Sequence, residues 1–378
     1  MFLADLLETQ LLRFLKGNIM ENNENVYEIA RKSCVICNSC RYCEGLCAVF
    51  PAMERKREFS LQDIDYLANL CHQCSECFYD CQYAPPHEFN LALPKQLAKV
   101  RAQSYTNHAF PSFLGKAFGA NAIVTTIVLV IALFLGFFAS GTITATEPSR
   151  AGDFFAYVPE SYMIGTFSVV AILVLAALFM SCKNFANAIE LKGVNAAAII
   201  QSIKDALTMR YLGGHEGEGC TYPTELRSNV RRVFHHFTMY GFIFCFIATV
   251  LGAIYLHILN IPAPYDFTQL PKIFGVIGGI ALCIGVAGLF ALKLKADKNI
   301  VDENSVSMDY ALLAMLVIVS FGGLVLMCLK ESAYLPCLLY FHLSTVFALF
   351  VMIPYSKFIH VFYRFIALVK YNMDEQEA

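Results

Sequence analysis

Six long apolar runs constrain the fold of this chain more than any other feature. They cover residues 118–140, 162–182, 236–258, 272–292, 310–329 and 334–355. Each run is about as long as the roughly 20 residues that an α-helix needs to cross the hydrocarbon core of a bilayer. Only 15% of the residues are charged, against about 25% in an average soluble protein. We therefore predict an all-α bundle of six transmembrane helices within residues 116–378, embedded in the lipid bilayer.

The distribution of Lys and Arg predicts which side of the membrane each connection faces. These residues are concentrated in 183–233, 293–309 and the C-terminal tail, and they are scarce in the alternate connections. Because cytoplasmic loops are enriched in Lys and Arg, we expect the N-terminus, both basic connections and the C-terminus to be cytoplasmic. Within the first basic connection, residues 193–212 have apolar residues at helical spacing, which predicts an amphipathic helix on the cytoplasmic surface. The net charge of −2 gives no indication of nucleic-acid binding.

The first 115 residues are more polar and contain nine of the fifteen cysteines. "CNSCRYCEGLC" at 37–47 and "CHQCSECFYDC" at 71–81 share the form C-x2-C-x2-C-x3-C, which is typical of proteins with two [4Fe–4S] clusters. We predict a cytoplasmic ferredoxin-like domain of the small α+β/α class over residues 1–115. The N-terminal "MFLADLLETQLLRFLKGN" is interrupted by Asp5 and Glu8, so we expect an amphipathic helix rather than a signal peptide.

In two-cluster ferredoxins, the fourth cysteine of each run binds the other cluster. Applied to this chain, the rule predicts two crossed ligand sets: Cys37, Cys40, Cys43 and Cys81 for cluster 1, and Cys71, Cys74, Cys77 and Cys47 for cluster 2. Two zinc sites are the alternative, although zinc usually pairs C-x2-C units that lie farther apart. Proline does not directly follow either fourth cysteine, as it does in bacterial ferredoxins. We interpret Cys34 as a spare thiol, His72 as a local hydrogen-bond donor, and His215 with Cys220 as too few ligands for a metal site.

Histidines at the ends of two predicted spans are candidate haem ligands, because polar residues in membrane helices are expensive and usually functional. His342 and His360 are eighteen residues apart on the last predicted helix, five turns and about 27 Å, with Pro354 as a candidate bend between them. We predict an inner haem between His360 and His236, with His235 as the alternative ligand, and an outer haem between His342 and His257. No C-x-x-C-H motif is present, so the haem would be b-type. Tyr355 and Lys357 are candidate hydrogen-bond donors to a quinone.

Two resemblances rest on these motifs. "PYSKFIH", with a histidine eighteen residues before it, resembles the final helix of the cytochrome b (gamma) subunit of respiratory nitrate reductase, and "RRVFHHF" resembles its partner helix. In that family the second histidine of the partner helix would fall at Phe246, not at His257. The motifs "CNSCRYCEGLCAVFPAM", "LCHQCSECFYDCQYAPPHEFN", "RRVFHHFTMYGF" and "PYSKFIHVFYRF" together resemble the tricarballylate utilization protein B family, also called the CitB domain, over residues 25–370.

The second resemblance implies a multi-pass protein of the bacterial inner membrane that reoxidises the reduced FAD of a partner, tricarballylate dehydrogenase. It would pass electrons through two [4Fe–4S] clusters and one or two b-type haems to membrane quinone, as a quinone-reducing subunit rather than a stand-alone enzyme. The alternatives are a haem-free Fe–S membrane anchor and a redox-coupled transporter or sensor. The spans contain no convincing internal repeat, which many transporters have.

Overall fold

The computed structural model describes residues 23–303 and 305–377. The predicted N-terminal amphipathic helix lies outside these residues. Six described helices are long and apolar enough to cross a membrane, so the prediction of a six-helix membrane protein is confirmed. They are α6 (Ser112–Thr144), α7 (Glu160–Ala188), α9 (Val230–His257), α10 (Leu270–Leu294), α11 (Val306–Cys328) and α12 (Leu335–Met352).

The helices α9 and α10 pack with their backbones almost in contact. A Cβ atom added to Gly241 would lie 2.6 Å from the backbone nitrogen of Leu282, and one added to Gly285 would lie 2.5 Å from that of Thr238. Small residues allow this close approach between membrane helices, where van der Waals packing replaces the hydrophobic effect as the main attraction. The contact fixes the position of α9, which carries His235 and His236.

The cysteine domain is helical, and the predicted α+β/α ferredoxin-like fold is wrong. Its helices are α1 (Asn23–Cys40), α2 (Val49–Glu54), α3 (Leu61–Leu70), α4 (Glu76–Tyr79) and α5 (Leu93–Asn107). No strand occurs among residues 23–303 and 305–377, and the one isolated bridge joins Cys220 to Ser228, outside the domain.

Local sequence explains why this domain forms helices. Ser60 and Asp63 make a capping box at the start of α3, in which each side chain accepts a hydrogen bond from the other residue's backbone N–H. The helix then buries Ile64, Leu67 and Leu70 at helical spacing. These features favour a helix between the cysteine runs, whereas the prediction of strands came only from the general ferredoxin pattern.

The predicted continuous last helix is also interrupted. The helix α12 ends at Met352, two residues before Pro354, and a short 3-10 turn at Lys357–Ile359 leads into α13 (His360–Glu377). Ile353 is still helical, but Pro354 has no backbone N–H to donate to the carbonyl of Phe350 and its ring clashes with that carbonyl, which explains a break here. The helix α13 then packs on α3 of the cysteine domain. His360 therefore lies at the junction between the bundle and the cysteine domain, not five turns along α12.

The predicted amphipathic segment forms α8 (Ala196–Thr208), which packs against α13. Its polar residues face the protein, since Asn372 donates hydrogen bonds to Ser202 Oγ at 2.9 Å and to Asp205 Oδ2 at 3.2 Å. Its large apolar residues are exposed instead: Ile199, Ile200, Ile203 and Leu207. This arrangement suits a helix whose outer face lies in the membrane interface.

Both basic connections contact the cysteine domain. From the first, Arg231 donates to the carbonyl of Gln73 at 2.5 Å. From the second, the carbonyl of Ile300 accepts from the Gln73 side chain at 3.2 Å. The two basic loops, α13 and the cysteine domain thus occupy the same end of the bundle. That this end is cytoplasmic stays a prediction.

Candidate iron–sulfur and haem sites

The first cysteine run begins on a helix. Cys34, Cys37 and Cys40 are spaced three apart at the end of α1, which places them on neighbouring positions of the helix surface. The chain then turns through Gly45, whose φ of +88° is a left-handed conformation that glycine adopts without strain, and reaches Cys47. Cys34 is fully buried in the core, whereas Cys37, Cys40, Cys43 and Cys47 are half-buried.

The second run is a loop around one helical turn. Cys71 leaves α3 in extended conformation, and Gln73 and Ser75 have φ of +54° and +70°. The loop geometry turns the backbone of Gln73 back toward Cys71, whose sulfur accepts a hydrogen bond from Gln73 N at 3.4 Å. Cys77 lies in α4, and Cys81 follows it.

The fold groups the thiols in two sets, each with a member from the opposite run. Cys37 and Cys43 interact electrostatically with each other and with Cys40 and Cys81. We call these four cysteines set A. The other set contains Cys47, Cys71, Cys74 and Cys77, which interact in the same way, and we call it set B. Within the described residues, no three His, Cys, Asp or Glu side chains converge on a point suited to a single metal ion.

The protonation of these thiols fits a site that is completed by a bound metal group. Burial first, and neighbouring thiols second, raise the pKa of Cys37 and Cys43 to about 12, and burial raises that of Cys47 well above its usual range. Four half-buried or buried thiols per set are the donors that suit a [4Fe–4S] cluster, and they bind as thiolates only when a metal compensates their charge. The donor chemistry therefore fits two clusters, and the assignment of ligands stays a prediction.

The segment between α8 and α9 covers set B, a contact that the sequence did not predict. Residues 209–229, which we call the cover loop, run from α8 to α9 across the second cysteine run. Thr221 Oγ1 lies 3.5 Å from the carbonyl of Cys74, and the guanidinium of Arg227 pairs with Glu76 at 3.2 Å. Cys220 is fully buried beside Cys74. The ion pair between Arg227 and Glu76 was not predictable from the sequence, because about 150 residues separate the two.

The remaining sequence candidates in this region have structural contacts. His215 donates its backbone N–H to Glu76 at 3.2 Å, and its ring lies 3.3 Å from the carbonyl of Gly45. His72 packs its ring against Tyr211 at 5.4 Å between centroids. Burial, followed by the charge of Arg364, lowers the pKa of His72 well below its usual range, so this ring is neutral.

The inner histidine pair consists of His235 and His360. Their ring centroids are 6.3 Å apart, whereas His236 stacks on Tyr240 at 5.7 Å. Two imidazoles that bind one metal from opposite sides, with bonds of about 2 Å each, place their centroids roughly 6 Å apart. The Nδ1 atoms of His235 and His236 are both buried without a hydrogen-bond partner, so the ring spacing is what distinguishes the two. The spacing fits a bis-imidazole metal site, and it brings His235 rather than His236 to His360.

The turn before α13 orients His360. Its Nδ1 lies 2.5 Å from the carbonyl of Lys357, which fixes this nitrogen as the N–H donor and leaves Nε2 as the unprotonated atom. Burial, with Arg364 next, lowers the pKa of His360 well below its usual range. The imidazole is therefore neutral, as a metal ligand must be. Lys357 itself pairs with buried Asp309, which also pairs with Lys293.

The predicted outer histidines have different surroundings. His257 is exposed at the end of α9, and its Nδ1 lies 3.6 Å from a carboxylate oxygen of Glu160. His342 lines an apolar cavity of about 460 Å³ between α9, α10, α11 and α12, and within the described part of the chain His257 is not among the lining residues. Cys245 and Ser320 also line this cavity. The structure thus does not bring the two histidines to one cavity, and the outer haem stays a prediction.

Tyr355 is engaged in packing. Its hydroxyl donates to the carbonyl of Phe110 at 3.2 Å, and its ring stacks on Phe118. This contact ties the start of the first membrane helix to the turn before α13. With Lys357 held by Asp309, both predicted quinone donors already have partners.

The comparisons with known proteins agree with this architecture. Residues 116–378 match the family described as "Citrate utilization protein B", and residues 30–107 match its "Fer4-like domain". A protein named "Citrate utilization protein B" from Escherichia coli is 39% identical over 345 residues, which cover 91% of this chain and 91% of that protein. No solved structure matches the chain. The Fer4-like match supports the interpretation of the cysteines as iron–sulfur ligands.

Proposed function

This chain belongs to the citrate utilization protein B family, and we propose that it is a membrane electron-transfer subunit that reoxidises the FAD of a partner dehydrogenase and delivers electrons to quinone. The partner expected from the resemblance oxidises tricarballylate, a tricarboxylate close in chemistry to the citrate in the family's name. The proposal places the protein in the bacterial inner membrane, with its cysteine domain in the cytoplasm where a soluble flavoprotein can dock.

One observation carries the proposal: a single arginine links the second cysteine run to the helical turn that contains His360. Arg364 donates a hydrogen bond to the carbonyl of Cys71 at 3.0 Å, and it lies one helical turn after His360. A cysteine domain that merely needed an anchor would not require contact with a histidine pair. This link through Arg364 supports a relay from the cysteine domain into the membrane.

The residues divide this work as follows. Sets A and B would hold two [4Fe–4S] clusters, and His235 with His360 would hold the inner b-type haem. When bound, these groups supply one-electron redox chemistry, and the protein supplies position, burial and charge. The backbone carbonyl of Lys357 accepts a hydrogen bond from the Nδ1–H of His360, so that Nε2 stays available for the iron.

The cavity at His342 is the candidate site for the second lipophilic group of the relay. Large apolar cavities with few polar groups are the usual ligand sites of proteins. The Nδ1 of His342 is buried without a hydrogen-bond partner, and this residue lines the cavity together with polar side chains such as Thr249, Lys272 and Ser320. An outer haem and a quinone ring both suit one imidazole in an apolar cavity, and the haem content of the purified protein separates them.

A reduced-minus-oxidised visible spectrum of the purified protein tests the proposal. We expect a b-type band that is lost in His360→Ala and in His235→Ala and is retained in His236→Ala, the matched control on the adjacent position. Loss of about half the haem in His342→Ala would indicate a second haem at the cavity, and full retention would favour a quinone there.

A second measurement tests the direction of electron transfer and the identity of the electron donor. Reduced flavoprotein, mixed with the purified protein in lipid vesicles that contain quinone, should be reoxidised, and His360→Ala should slow this reaction. A protein that binds about eight irons but no haem would be a haem-free Fe–S anchor, and this outcome would refute the relay. A haem-loaded protein that leaves quinone oxidised would instead favour the redox-coupled transporter or sensor.

A further inference from the structure

Three guanidinium groups from three separate helices converge beside set B. Arg101 of α5 donates to the carbonyls of Cys71 at 2.6 Å and Ala68 at 3.2 Å. Arg231 of α9 donates to the carbonyl of Gln73 at 2.5 Å, and Arg364 of α13 donates to that of Cys71 at 3.0 Å. All three therefore bind the backbone of residues 68–73. This segment contains Cys71 and directly precedes Cys74, two of the thiols of set B.

These three cations have no carboxylate partner within the described part of the chain. Arg101 is 5% exposed, and the Nε of Arg364 is buried with no hydrogen-bond acceptor. Arg101 and Arg364 both donate to the carbonyl of Cys71, so two guanidinium groups meet at one oxygen. Buried charges in proteins are normally paired, so an accumulation of unpaired cations indicates that an anionic group belongs here.

Set A receives no hydrogen bond from these three arginines within the described part of the chain. Asp80 directly precedes Cys81 of set A, and its carboxylate pairs with Arg227 at 3.6 Å. Arg227 of the cover loop also pairs with Glu76, the residue directly before Cys77 of set B, and Arg41, which lies in the first cysteine run, is exposed to solvent. The two thiol sets therefore have similar ligands in unlike electrostatic environments.

A cluster with four thiolate ligands is an anion in both redox states and gains one negative charge on reduction. Nearby cations stabilise the more negative form, and nearby carboxylates destabilise it. We propose that Arg101, Arg231 and Arg364 raise the reduction potential of the cluster held by set B above that of the cluster held by set A. Electrons in the cysteine domain would then move from set A to set B. This inference rests on the proposed function for the presence of the clusters.

The position of the arginines agrees with this direction. Set B is the set that touches the bundle, through Arg364 and Arg231, and Arg364 is one turn from His360. Set A lies on the far side, where Tyr42 is 70% exposed. A potential that rises from set A to set B would draw electrons from a docked partner toward the histidine pair.

The test is a potentiometric titration of the whole, cluster-loaded protein in detergent, followed by electron paramagnetic resonance. Cys40→Ser and Cys74→Ser assign the signals, because each removes a ligand from one set. We expect the signal lost in Cys74→Ser to have the higher midpoint. A unit charge about 10 Å from a cluster, at an effective dielectric constant of about 20, shifts the equilibrium between the oxidised and reduced cluster roughly tenfold. Arg364→Gln should therefore lower that midpoint by about 59 mV for one electron and leave the other unchanged.

Arg364→Lys, which keeps the charge, should retain most of the potential, and a merely structural role would not predict this rescue. Arg150→Gln removes the same charge at the opposite end of the bundle and should move neither midpoint. If Arg364→Gln fails to retain its clusters, Arg231→Gln provides the same measurement. The inference is wrong if set A has the higher midpoint, or if the glutamine variants shift both midpoints equally or not at all. Loss of quinone reduction with the midpoints in the expected order would count against the proposed function alone.

Discussion

The substitution Asp309→Asn should destabilise the junction between the bundle and the cysteine domain. Asp309 lies in the first turn of α11. Its carboxylate forms ion pairs with Lys293 at the end of α10 and with Lys357 in the turn before His360. The side-chain exposures are 5% for Asp309, 14% for Lys293 and 29% for Lys357. Asparagine keeps the size and polarity but removes the charge, so two ammonium groups would be left facing each other.

The expected magnitude follows from the exposure of the lysines. Breaking a buried ion pair by removing one partner costs about 3–5 kcal/mol, because a charge is left without compensation. Lys357 can turn toward water, so the unpaired Lys293 dominates the loss. We expect about 3 kcal/mol of lost unfolding free energy, which is more than a hundredfold in the folding equilibrium at about 1.4 kcal/mol per tenfold.

Equilibrium unfolding in detergent micelles, followed by the helical circular dichroism signal, measures this loss. The double variant Asp309→Asn with Lys293→Met is the control, because it removes the buried cation together with its partner. We expect the double variant to recover most of the stability. A loss below about 1 kcal/mol in the single variant, or no recovery in the double variant, would show that charge compensation is not what Asp309 contributes.

Three further predictions concern the clusters and the packing. Cys47→Ser should reduce the iron content from about eight to about four per chain with set A intact, whereas Cys34→Ser should leave it near eight, as iron and sulfide analysis will show. Gly285→Leu should separate α9 from α10 and lower the thermal midpoint, because an added Cβ already lies 2.5 Å from a backbone nitrogen, whereas Gly136→Leu has open space and should be neutral. Ser60→Ala removes the α3 cap and should cost about 1 kcal/mol in denaturant unfolding, and an unchanged midpoint would contradict the capping role.

The membrane helices were predictable because their signal is local. Each span must satisfy its own backbone and meet lipid with apolar side chains, so length and hydropathy reveal it without knowledge of its neighbours. The predicted run 272–292 and the observed Leu270–Leu294 differ by only two residues at each end. The cysteine domain was less predictable, because the two cysteine runs indicate ligands but not the secondary structure that presents them.

The position of His360 could not be predicted from local sequence alone. Eighteen residues between His342 and His360 correspond to five turns only if the helix continues, and it ends at Met352. Proline marks such a break in the sequence, but the direction that the chain takes afterwards depends on the surface against which α13 packs. That surface consists of α3, α7 and α8, which are distant in sequence.

The sequence by itself determined the two cysteine runs, the six spans, the basic connections and the family, because each is encoded in short segments with characteristic spacing. Only the tertiary structure decided that His235 rather than His236 faces His360, that the cover loop lies over set B, and that Arg101, Arg231 and Arg364 meet at Cys71. These facts depend on contacts between residues that are up to 293 positions apart. Such contacts arise from the packing of whole helices, and no local pattern of residue types records them.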